Sequence, residues 1–191
     1  MPPEGLIIEL VTPLTPAGDL DASSLSRLVD RTAVVADGLL VGGPEAGEGL
    51  ALPDEVRIDL IAQTLTLVKG RLPIFWGITG SIPEETRDLT LALRRVMDRQ
   101  NYAGQVFLAD LPLWYHSNRG LPQFYQELLE ETGLPLILLN LPETVNQRAY
   151  LWWPGPPLPF SRPMNHASSP APELGGWCPG EPNFIRRPGS G

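Results

Sequence analysis

Lysine occurs once in this chain, at Lys69, and every other basic side chain is an arginine. Chemistry that needs an amine nucleophile therefore has a single candidate side chain, because arginine stays protonated. Cysteine also occurs once, at Cys178, which excludes an internal disulfide and a cysteine-rich zinc site and fits a reducing compartment. Basic charge is short overall: the net charge of -8 argues against nucleic acid, whose phosphates call for clustered Lys and Arg. No apolar run approaches the roughly 20 residues that span a bilayer. Met1 to Glu9 lacks a basic start followed by an apolar core and a small-residue cleavage site. The expectation is a soluble, cytoplasmic protein with no membrane partner. No glycine-rich phosphate loop follows the first strand, at Val11 to Asp19, which weighs against a dinucleotide fold. No metal and no cofactor is implied.

What the chain does have is an orderly alternation of strands and helices. Leu134 to Pro142 is a continuous apolar run bounded by prolines, the pattern of a strand buried on both faces of a parallel sheet. Ahead of it, strands are expected at Leu6 to Val11, Gly38 to Val41, Pro73 to Gly77 and Gln105 to Ala109. The first helix should be capped by Asp21, with Leu25, Leu28 and Val29 opening a stripe that continues to Val35. The second runs from about Pro53 to Lys69, with Ile58, Ile61, Leu65 and Val68 on one face and Gly70 as its stop. Ser81 to Glu84 reads as a capping box opening a third, with Leu89, Leu93, Val96 and Met97 facing the core. A fourth, near Leu121 to Glu131, uses Phe124 and Leu128 and stops at Gly133.

Strands thus begin near residues 6, 38, 73, 104 and 135, about 31 to 35 residues apart. That is the period of a (β/α) barrel unit, whose parallel strands are joined by right-handed helical crossovers. The fold class expected is α/β, a partial TIM-type (β/α) barrel of about five parallel strands and four helices over residues 1–148. Residues 149–191 change composition: Trp152-Trp153-Pro154-Gly155-Pro156-Pro157 and later Pro, Gly and Arg runs make an irregular or disordered tail the expectation. Its lack of period also motivates the hypothesis of a shifted reading frame, which the other two frames of the gene past Arg148 would test.

Three segments together resemble the dihydrodipicolinate synthase and N-acetylneuraminate lyase family of class I aldolase-like barrels. Leu10-Val11-Thr12-Pro13 with Gly18 to Asp21 is similar to that family's opening "TPF…dG.iD". Gly38 to Glu48, with Leu52 and Glu55, is similar to "GlvvgGTTGE…L..eE". Pro112-Leu113-Trp114-Tyr115, with Gly120-Leu121 and Leu136 to Pro142, is similar to "PPYY…Gl…PiiLYNvP". The resemblance implies pyruvate-dependent carbon-carbon lyase or synthase chemistry. A lysine at the end of the sixth strand forms a Schiff base with a 2-oxo acid, a strand-five tyrosine moves the proton, and paired hydroxyls of the "GTTGE" loop hold the carboxylate.

This chain departs at each point. The "YNvP" tyrosine position is Leu139, the hydroxyl pair falls on Glu45-Ala46, and no lysine follows Lys69. A glutamate at position 45 is expected to repel a carboxylate. Lys69, at the end of a helix leading into strand three, belongs to the face of a barrel opposite its site. The residues that survive are Tyr115, matching the second tyrosine of "PYY" and the one catalytic candidate, and Gly43 and Glu48, which match as loop-shaping residues. Gly43, Glu45 and Ala46 form the candidate substrate-binding loop, for a small 2-oxo acid such as pyruvate if any ligand is bound. His116, Arg119 and Arg148 lack a positioned partner, and Trp76 and Trp114 read as core or interface. The functional expectation is a truncated, catalytically inactive family member. The alternative is a non-catalytic small-acid-binding or assembly subunit, and unpaired sheet edges imply a homo-oligomer or an aggregation-prone chain.

Overall fold

A computed structural model of the chain describes residues 4–113 and 120–141. Nine elements follow one another as β1 (Ile7–Glu9), α1 (Ala22–Thr32), β2 (Gly38–Val41), α2 (Asp54–Val68), β3 (Ile74–Gly77), α3 (Pro83–Arg99), β4 (Val106–Asp110), α4 (Leu121–Thr132) and β5 (Leu136–Leu138). The five strands form one parallel sheet in sequence order, β1-β2-β3-β4-β5. Every neighbouring pair is thus joined through a helix, the connection a parallel ladder requires. The architecture is the expected partial (β/α) barrel with five strands and four helices, and the expected tail of residues 149–191 lies outside the described residues.

Period-2 alternation separates the two faces of the sheet. Leu39, Val41, Ile74, Trp76, Val106, Leu108 and Leu136 pack with Leu25, Val29, Leu60, Leu65, Leu93, Tyr125 and Leu128 of the helices. The intervening residues, Leu40, Phe75, Phe107, Ala109 and Ile137, make a second apolar cluster that contains no helical residue and includes Leu111 and Leu139. The helix-free face is the one a closed barrel turns inward. There Phe75 and Phe107 stack, with ring centroids 5.0 Å apart and an interplanar angle of 18°. Gly38 makes this possible in β2, since a Cβ on it would stand 2.8 Å from the Phe75 ring.

Local signals hold at most element ends and fail at a few. Asp21 caps α1, accepting from the N–H groups of Ser23 (3.0 Å) and Ser24 (3.1 Å). These bonds and those from the Ser24 and Ser23 hydroxyls favour the ionised carboxylate and lower its pKa to about 2. The stripe expected to reach Val35 stops earlier. The N–H groups of Val35 and Ala36 both turn back to Thr32 O, leaving Val34 and Val35 exposed.

The capping box at Ser81 to Glu84 does not form. Ile82 is the N-cap and Pro83 the first helical residue, so the third position is Glu85, whose Oε2 accepts from the Ser81 N–H at 2.7 Å. Helix α2 turns left-handed at Lys69 (φ 51°), one residue before the expected stop at Gly70. In α4 the side chain sunk deepest is Tyr125 rather than Phe124, which is partly buried. The apolar run at Leu134 to Pro142 contributes only Leu136–Leu138 to the ladder.

Candidate functional site

All five strands run in one direction, so their C-terminal ends share a rim, where a (β/α) barrel builds its sites from the following loops. Glu9 ends β1 in register with Leu40 and points to the helix-free face. It is the one charged side chain that the described strands place on that apolar face. Half-buried on this apolar face, the carboxylate needs hydrogen-bond donors, and the loop after β2 supplies them. Glu9 Oε1 accepts from the Glu45 N–H at 3.1 Å and from the Gly47 N–H at 3.0 Å.

The loop is closed tightly around this carboxylate. Gly49 N–H donates to Gly43 O at 2.9 Å, Glu48 N–H donates to Glu45 O at 3.2 Å, and the buried Thr12 hydroxyl donates to Gly47 O at 2.7 Å. Gly42 takes the left-handed region (φ 62°), and a Cβ on Gly43 would stand 2.4 Å from Glu9 Oε1. The glycines therefore leave the space that the Glu9 carboxylate fills. Between Glu9, Leu40, Pro44, Glu45, Leu139 and Leu141 remains a cavity of about 10 Å³, room for about one water molecule.

Of the candidates read from the sequence, Gly43, Glu45 and Ala46 lie together in this loop. Gly43 is buried and shapes the loop; Glu45 and Ala46 are exposed. The carboxylate that Glu45 meets is that of Glu9, to which its backbone N–H donates. Tyr115, with Trp114, His116, Arg119 and Arg148, lies outside the described residues. Leu139 is buried in the helix-free cluster, its N–H donating to Asp110 O at 2.7 Å. Trp76 is wholly buried on the helix-facing side, a core residue as expected.

Lys69 sits at the other end of the sheet, exposed at the C-cap of α2 ahead of β3. It lines a surface hollow of about 680 Å³ together with Gly70, Asn101 and Tyr102. That groove joins the C-terminal ends of α2 and α3 and faces away from the rim. Among the described residues no group of His, Cys, Asp or Glu is placed to hold a metal ion, and no helix is long and apolar enough to cross a membrane.

A second polar cluster, behind the rim on the helix side, escaped the sequence reading. Asp110 ends β4 with no exposed surface, and Tyr125 of α4 donates its hydroxyl to Asp110 Oδ2 at 2.6 Å. Burial pushes the Asp110 carboxyl up from 3.8. The Tyr125 hydroxyl opposes this most, then Thr79, the Leu111 N–H and the Arg57 charge. Leu111 N–H donates to Thr79 Oγ1 at 2.8 Å, and Asp110 Oδ1 has no hydrogen-bond partner among the described residues. Arg57 reaches in from α2 and donates to Gly77 O and Thr79 O, each at 3.0 Å. Burial lowers its pKa against the raising pull of Asp54, Asp110 and Glu85. The signal for both Glu9 and Asp110 was a single acidic residue interrupting an otherwise apolar run.

Comparison with known proteins agrees with this architecture. The 4-hydroxy-tetrahydrodipicolinate synthases of Shigella dysenteriae serotype 1 and of Escherichia coli O139:H28 are each 30% identical to this chain over 140 residues, covering 72% of it and 46% of their own length. A prophage protein of the dihydrodipicolinic acid synthase family from E. coli K12, solved in complex with pyruvate, superposes with a TM-score of 0.63 at 26% identity over 74% of this chain and 46% of its own. The dihydrodipicolinate synthase of Bacteroides thetaiotaomicron gives a TM-score of 0.61 at 30% identity over 76% and 47%. A chloride-inhibited dihydrodipicolinate synthase from Acinetobacter baumannii, complexed with pyruvate, gives 0.60 at 27% over 73% and 46%. The chain spans about half the length of the curated relatives it matches. Residues 2–150 match the Dihydrodipicolinate synthetase family, and with the five-stranded parallel half-barrel and its rim loop in place, this chain belongs to that family.

Proposed function

We propose that this chain is a non-catalytic member of the family, one that forms no Schiff base with a 2-oxo acid. The observation that carries the reading is Leu139, buried on the helix-free face where the family resemblance calls for a proton-shuttling tyrosine. A leucine cannot accept or donate a proton, and imine chemistry stalls without a group to move one. Lys69 supports the same reading: the one lysine in the sequence is on the far side of the sheet from the rim, capping a helix in solvent. Two of the related structures contain pyruvate, which makes a small 2-oxo acid the ligand class to test here. Reductive trapping of pyruvate on the chain is the direct test, with no covalent adduct expected.

The alternative is a non-catalytic small-acid-binding or assembly subunit, and the feature it draws on is a loop whose N–H groups bond a carboxylate, here that of Glu9. The catalytic role of Tyr115 in the family pattern lapses on this reading. We place the barrel-derived domain at residues 1–148 and treat 149–191 as a separate tail. The end of the family match at residue 150 supports that division.

A further inference from the structure

We propose that Glu9 is a built-in occupant of a small-carboxylate site, so that the loop Gly42 to Gly49 holds the chain's own carboxylate where an external one would otherwise bind. Two backbone N–H groups, from Glu45 and Gly47, converge on the single oxygen Oε1 of a side chain 36 and 38 residues earlier in the chain. Convergent amides of this kind form an anion-binding concavity, and bonds to an ionised acceptor are the stronger sort. Gly43 has no side chain where that oxygen sits, and a Cβ there would come within 2.4 Å of it. The loop thus has the shape of a receptor for one carboxylate group. The space left beside Glu9 is about 10 Å³, walled by Leu40, Pro44, Leu139 and Leu141 with Glu45 and Asn140 as its polar members. An external acid therefore has neither the donors nor the volume while Glu9 is in place. Removing the Glu9 side chain beyond Cβ takes away the acceptor that the Glu45 and Gly47 N–H groups share and opens a volume about the size of the carboxylate removed, which matches a small monocarboxylate such as acetate.

Glu9→Ala, compared with the unaltered chain, tests this through acetate rescue. The variant should melt lower, and acetate should restore its midpoint saturably, as a ligand of the folded state does. The Glu45 and Gly47 amide resonances should shift with the same dissociation constant. Acetate should bind the variant at least about tenfold more tightly than the unaltered chain, a difference of about 1.4 kcal/mol. Acetamide, which has no charge, and chloride, which matches the ionic strength, should not restore the midpoint. Glu9→Gln keeps an oxygen in the loop and should gain no response to acetate. Equal acetate affinity in the Glu9→Ala variant and the unaltered chain would overturn the proposal. So would an equal response in Glu9→Gln, or a Glu9→Ala variant that stays unfolded at every acetate concentration. The inference shares its loop with the non-catalytic reading but not its chemistry. Acetate has no ketone and forms no imine, so failure of rescue leaves the lysine question where it was, and a pyruvate adduct would leave this proposal standing.

Discussion

Tyr125 of α4 reaches across the helix-sheet layer to donate its hydroxyl to Asp110 at the end of β4, 2.6 Å away, with neither residue exposed. This bond ties the fourth helix to the rim of the strand that precedes it. Tyr125→Phe keeps the ring, including its edge contact with Phe124 at 5.3 Å between centroids, and removes the hydroxyl that serves Asp110 Oδ2. Leaving a buried acceptor without its donor costs about 1 to 3 kcal/mol. Denaturant unfolding should show that loss as a lower midpoint at an unchanged slope.

The same carboxyl sets a pH dependence. Burial raises the Asp110 pKa above its ordinary 3.8, so the folded chain holds this proton over a range where the unfolded chain has released it. Folding stability from this group is then fully present below that ordinary value and is lost as pH rises through the raised one. Asp21 works in the opposite direction: with its pKa lowered to about 2, its contribution is present above 3.8 and lost as pH falls through about 2. Asp110→Asn has no proton to lose. The stability of the unaltered chain relative to Asp110→Asn should therefore decline from acidic toward neutral pH, and a difference that is flat with pH would contradict the assignment.

Gly77, the last residue of β3, lies under the rim loop. A Cβ there would stand 2.0 Å from Gly42 O and 2.9 Å from Gly43 N, both backbone atoms that cannot swing aside. Gly77→Ala should cost at least about 1 to 3 kcal/mol, the range for overpacking a tight interior. Amide shifts should be concentrated in residues 42–49.

Among the described residues β1 and β5 each pair on one side only, and β1 is flanked by the exposed Leu6 and Val11. Open parallel edges with apolar flanks recruit other strands. Light scattering should show self-association that grows with concentration. A compact monomer at high concentration would go against it.

The sequence reading recovered the five strands, the four helices and their order because each rests on a pattern several residues long. Apolar stripes in α2 and α3, and the uninterrupted runs of the strands, report burial directly. Single-residue signals were less dependable. Pro83 shifted the start of α3 by one residue, so that Glu85 instead of Glu84 reached back to the chain, and Lys69 took the left-handed position expected of a glycine. At the rim, Gly43, Glu45 and Ala46 were legible because the loop resembles a known pattern. Glu9 was not, since its role depends on contacts with residues more than thirty positions away. Tyr125 and Asp110 were hidden for the same reason: one reads as an alternative core aromatic in α4 and the other as a strand end.

The central claim is that no amine of this chain forms an imine with a 2-oxo acid, and intact-mass measurement after incubation with pyruvate and borohydride tests it most directly. Leu139 in place of a proton-shuttling tyrosine and Lys69 on the opposite end of the sheet lead to an unchanged mass, with pyruvate and without. A stoichiometric reduced pyruvate adduct, above all one mapped by peptide analysis to Lys69, would contradict the account.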